Sequence, residues 1–112
     1  MTTVFKKIID GELPAEKLYE DDKCLVIKDI NPAADTHWLV IPKKEISSIS
    51  EMKEEDIPLM GHLVWVAKKI TTENNIKGYK LIWNVNKEGG QVVFHIHLHI
   101  LAGDFTKAKL PV

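Results

Sequence analysis

Apolar positions along the chain fall into blocks of different period. Val4, Phe5, Ile8 and Ile9 sit at helical spacing, with Gly11 and Pro14 behind them, which predicts a short helix over 4–9. Lys17–Glu20 predicts a short strand and Asp21-Asp22 a turn. Cys24–Ile30 and His37–Pro42 are rich in β-branched residues and predict two strands, joined by a loop over Asn31–Asp35. From Glu54 to Glu73 the apolar residues Ile57, Met60, Val64, Ala67 and Ile70 step by three and four, and Leu63 widens the stripe. That spacing predicts a long amphipathic helix. Ser47–Ser50 supplies start residues, Pro58 fits only its first turn, and Asn74-Asn75 and Gly78 close it. Tyr79–Asn84 predicts a strand and Asn86–Gly90 a turn; Phe94–Ala102 alternates with period two and predicts the clearest strand. The order β-β-β-α-β-β, mostly hairpin-connected, implies an α+β fold: an antiparallel sheet with one long helix packed on it.

Composition narrows the picture. The 112 residues suit one domain, 1–112. Apolar residues at 45% and charged residues at 28% exclude a disordered chain. The apolar run over 63–67 is far shorter than the ~20 residues of a spanning helix. A net charge of −1 leaves no basic field for nucleic acid. All 15 basic residues are Lys, so no guanidinium can clamp a phosphate. A phosphate would have to be held by backbone N–H groups, amides, hydroxyls, imidazoles or Lys. A single cysteine, Cys24, and an N-terminus without a charged-then-apolar leader lead us to expect a cytoplasmic protein.

The chemistry concentrates at His95-Ile96-His97-Leu98-His99-Ile100. On one strand the three imidazoles share a face, about 6.6 Å apart, and Phe94, Ile96, Leu98 and Ile100 share the core face. Two imidazolium charges about 7 Å apart repel by roughly 2.4 kcal/mol at an effective dielectric near 20. At least one ring is therefore expected to be neutral, as a nucleophile or a metal ligand requires. Zinc held by the triplet, with His37 as a further ligand, competes with nucleophilic catalysis on spacing alone. Gly89-Gly90-Gln91 could cradle a phosphate on its backbone N–H groups or simply make a hairpin turn. Asn84 could donate to an oxyanion or cap a turn, and Asp29 could accept from a sugar diol or cap the Asn31-Pro32 turn. His62 and Cys24 read as structural.

The pattern His95-Ile-His97-Leu-His99-Ile-Leu101 resembles the histidine triad family, and VFKKIIDGELPA, EDDKCLVIKDINP, THWLVIPKKEIS, Gly61-His62 and GGQVVFHIHLHILAG extend the similarity from about Phe5 to Gly103. Its Hint branch, nucleoside phosphoramidate hydrolases, is the most similar. The resemblance implies a five-stranded antiparallel sheet with a long helix and a short N-terminal one, continued across a homodimer. It implies a purine nucleotide substrate, no cofactor and no metal. His97 would attack the α-phosphorus, form a nucleotidyl-histidine and release a nucleoside monophosphate such as AMP. His99 would contact the phosphate, and His95 and His37 would position His97 or its proton. Asn84, Gly90, Gln91 and Val93 would hold the phosphate, Asp29 the ribose, and Val4, Phe5, Ile8, Ile27 and Ile30 the base. Dinucleoside polyphosphate hydrolysis and non-catalytic nucleotide binding are the alternatives. Val92 stands where relatives often carry Ser, and the tail after Gly103 lacks the Trp-containing ending of animal relatives.

Overall fold

Thr3 starts the first helix: its hydroxyl accepts the Lys6 N–H at 3.1 Å, and α1 runs Val4–Ile9. The computed structural model describes residues 2–107; the end of the tail, 108–112, lies outside them. Strands β1 (Lys17–Glu20), β2 (Cys24–Lys28), β3 (Thr36–Pro42), β4 (Lys80–Ile82) and β5 (Leu98–Ala102) form one sheet in the order β1-β2-β3-β5-β4. Each neighbouring pair is antiparallel. Helix α2 (Ile57–Glu73) crosses one face. The architecture is the α+β one expected from the sequence.

Alternation along the strands gives the sheet two apolar faces. Cys24, Val26, Val40, Leu98 and Ile100 pack against Leu63, Val66, Ala67 and Ile70 of α2. Leu25, Ile27, Leu39 and Ile41 point the other way, where Phe5 and Ile8 of α1 cover them. The small helix covers only part of that second face. No helix among the described residues is long and apolar enough to cross a membrane.

Four expectations are corrected. Residues 54–56 form a 3₁₀ turn, and α2 begins at Ile57. The buried stripe of α2 is Leu63, Val66, Ala67, Ile70 and Thr71; Ile57 and Trp65 are each 58% exposed and Val64 is also exposed. Its apolar arc is wider than the sheet can cover, so periodicity alone could not say which edge stays outside. The strands expected over 24–30 and 79–84 shorten to Cys24–Lys28 and Lys80–Ile82.

The fourth correction matters most. β5 starts at Leu98, so His95 and His97 precede the strand instead of sharing its face, and Phe94 is 47% exposed instead of buried. Val40 opposes Leu98, so the same register would set Pro42 against Ile96. Proline has no N–H for the ladder. The chain leaves β3 there: the Ile96 N–H donates to the Ile46 carbonyl at 2.8 Å, and the Pro42 carbonyl accepts from His95.

Candidate active site

Strands β3 and β5 place the first two histidines. Leu39 opposes His99 and His37 opposes Leu101, so His37 and His99 are diagonal neighbours on the α1 face. The Ala33 N–H donates to His37 Nδ1 at 3.0 Å. That nitrogen therefore carries the lone pair, and the proton of neutral His37 sits on Nε2. Nε2 lies 2.8 Å from His99 Nδ1 and 3.4 Å from Asp29 Oδ2. His99 Nδ1 is thus an acceptor, and neutral His99 carries its proton on Nε2. Among the described residues His99 Nε2 is the buried side-chain polar atom with no partner. The loop after β2 thereby fixes, through two rings, a buried hydrogen-bond donor without a partner.

The residues before β5 place the other two. His95 Nε2 donates to the Pro42 carbonyl at 2.7 Å, and His97 Nδ1 donates to the His95 carbonyl at 2.8 Å. His97 Nε2 is left with a lone pair. The Phe5 ring stands edge-on to His97 with centroids 4.8 Å apart, and His99 is also 4.8 Å from His97. Burial lowers the pKa of His95 and of His97 below 6.5. Burial, then repulsion from His97 and His37, brings His99 to about 4. Each shift favours the neutral ring, in keeping with the tautomer assignments.

His97 and His99 open into a cavity of about 410 Å³. Val4, Phe5, Ile8, Ile27, Ile30, Asp29, Asn84, Gly90 and Val93 line it, as the sequence led us to expect. Val92 lines it too, at the position where relatives often carry Ser; Lys28, Asn31 and Leu39 also line it and were not anticipated. Leu39 was legible, since it shares its strand face with His37. The rim is apolar and open: Ile30 is 92% and Val92 85% exposed. Asp29 makes the expected cap and also lines the cavity. Oδ1 accepts the Asn31 N–H at 2.8 Å as a cap, while the carboxylate lies on the cavity beside His37. Gly90 has φ +90°, a conformation that favours glycine.

Three expected site residues stand behind the cavity, not on its wall. His37 acts on His99 and not on His97. His95 reaches His97 only through its backbone carbonyl. Gln91 is buried, and its side chain braces the turn: Oε1 accepts the Asn86 N–H at 2.9 Å, and Nε2 donates to the Ser47 and Val93 carbonyls at 2.7 and 3.1 Å. The triplet also does not gather around one point. The ligating atoms that converge here within 4.8 Å belong to Asp29, His37 and His99.

Comparison with known proteins identifies the family. The family model described as "Scavenger mRNA decapping enzyme C-term binding" matches residues 2–110. An uncharacterized HIT-like protein of Synechocystis is 48% identical over 102 residues, 90% of each chain. The chain belongs to the histidine triad (HIT) family. The purine nucleoside phosphoramidase of Escherichia coli is 42% identical over 103 residues, 90% of this chain and 87% of that one. A HIT family hydrolase from Clostridium thermocellum superposes with a TM-score of 0.91 at 41% identity, covering 97% of this chain and 96% of the other. The HIT family hydrolase of Legionella pneumophila gives 0.89 at 43% identity, over 92% and 94%.

Proposed function

We propose that this HIT protein is a purine nucleoside 5′-phosphoramidate hydrolase. One observation carries the proposal: a desolvated imidazole, His97, lines the cavity with its Nε2 lone pair uncommitted, beside His99, which also lines it and whose buried Nε2–H has no partner. Nε2 attacks the α-phosphorus, the P–N bond breaks, and the leaving nitrogen departs as an amine after taking up a proton. Positive charge then develops on the His97 ring, and the His95 carbonyl accepts its Nδ1–H. Water attacks the nucleotidyl-histidine, releases the nucleoside monophosphate and restores His97. Two displacements replace one difficult step.

The rest of the cavity supports the same reading. His99 Nε2–H, the Asn84 amide and backbone N–H groups near Gly90 and Val93 supply phosphate donors without any Arg. Asp29 takes the ribose hydroxyls, and Val4, Phe5, Ile8, Ile27 and Ile30 take the base. No step needs a metal or cofactor. A homodimer is part of this proposal. Ile57, Gly61, Val64 and Trp65 lie along one exposed side of α2, and β4 is a sheet edge with Leu81 exposed. A second copy would cover both.

The test is AMP release from adenosine 5′-phosphoramidate, in chelator, by the wild type and by His97→Ala. We expect turnover by the wild type and a loss of about 10³-fold or more in the variant. AMP bound without turnover would favour a binding module. Faster turnover of a diadenosine polyphosphate would favour the polyphosphate reading.

A further inference from the structure

A second cluster lies on the α2 face of the sheet, opposite the histidines. Asp21 in the β1–β2 turn, Cys24 at the start of β2 and His62 in α2 bring a carboxylate oxygen, a thiol sulfur and an imidazole nitrogen within 4.8 Å of one another. These side chains come from two elements far apart in sequence. Cys24 is fully buried, while the side chains of Asp21 and His62 keep 19% and 25% exposure. Nothing in the phosphoramidase reading uses them.

The carboxylate is held as a metal ligand would be. The Lys23 and Cys24 N–H groups both donate to Asp21 Oδ1 at 2.8 Å, which fixes the plane of the group. Oδ2 turns into the cluster, where the Tyr19 hydroxyl donates to it at 2.9 Å and His62 Nε2 lies 2.7 Å away. Ligating carboxylates at metal sites are oriented by such hydrogen bonds, and here a cation would replace the His62 contact on Oδ2 while the Tyr19 hydroxyl keeps its own. The donor set of one sulfur, one nitrogen and one oxygen suits a borderline-soft divalent ion and is poor for calcium or magnesium.

We propose that Asp21, Cys24 and His62 bind a zinc-type divalent cation that ties the β1–β2 turn to α2. The charges balance without further partners: a dication meets one carboxylate and one thiolate, and the imidazole is neutral. Binding releases the thiol proton to water, and the His62 proton moves to Nδ1. Water fills the fourth tetrahedral position on the side where Asp21 and His62 meet solvent. The site is structural, because it faces away from the cavity of His97.

Cobalt titration of the full chain tests this, since thiolate-bound cobalt gives a near-ultraviolet charge-transfer band and Cys24 is the only cysteine. The expected result is a band that saturates at one cobalt per chain and is displaced by zinc. In His62→Gln, which can still donate to Asp21, the affinity should fall at least tenfold with the fold retained by circular dichroism. No thiolate band in the wild type at tenfold excess of cobalt would overturn the proposal. So would cobalt bound without that band, as expected from Asp29, His37 and His99, or a band equally tight in His62→Gln. None of these outcomes depends on hydrolysis, so the two proposals fail separately.

Discussion

His37 does no chemistry on the substrate in this scheme; it sets the tautomer of His99. Replacing it with Ala removes the donor to His99 Nδ1 and leaves the Ala33 N–H without its acceptor. The bias lost is that of one neutral hydrogen bond, about 0.5–1.5 kcal/mol, a factor of roughly 2–13. Deleting His99 itself removes the donor to the phosphate, a loss of about 10²–10³-fold. Three levels should therefore appear in kcat for adenosine 5′-phosphoramidate: a small loss for His37→Ala, a larger one for His99→Ala, and the largest for His97→Ala. His37→Gln keeps an N–H near the Nε2 position and should recover part of the loss. Nitrogen-15 chemical shifts of His99 should show Nε2–H in the wild type and a mixture in His37→Ala. If His37→Ala loses as much as His97→Ala, His37 acts on the reacting atoms and the relay is refuted. Unchanged turnover with His99 still protonated at Nε2 would refute it from the other side.

Other predictions follow from the same geometry. Attack needs neutral His97, whose pKa burial holds below 6.5, so kcat/KM should be full at neutral pH and fall as pH drops through that lowered value. An acid limb centred above 6.5 would contradict it. Val92→Ser places a hydroxyl on the cavity rim and should raise kcat by about tenfold, near the lower end of the about 1.5–3 kcal/mol that a hydrogen bond to a charged group contributes. Gly90→Ala should lower stability in urea by about 1–2 kcal/mol, because φ is +90° and the added Cβ meets nothing within 4 Å. In chelator, His62→Ala should cost about 1 kcal/mol in the same assay, since both partners of its 2.7 Å contact with Asp21 keep water access.

Much of this protein was legible one residue at a time. Local period found α1, β1 and α2, and it identified Leu98 and Ile100 as core residues with His99 facing the other way. Motif spacing picked out the family, and with it His97, His99 and the apolar lining of the cavity. These inferences succeed because alternation and helical spacing depend on near neighbours. The reading of His62 as structural fits its contact with Asp21, although nothing local pointed to that partner 41 positions away.

What remained was decided between distant segments. A proline at 42 ends the ladder that would have held His95 and His97 on one strand. Consequently Phe94 turns outward and His95 turns to the Pro42 carbonyl. The tautomers of four imidazoles depend on the Ala33 N–H and on the carbonyls of Pro42 and His95, which no spacing rule connects. Which side of α2 stays exposed was likewise set by the width of the sheet beneath it. A sequence states which side chains are available and at what local period; only packing determines which backbone donor or acceptor meets each ring.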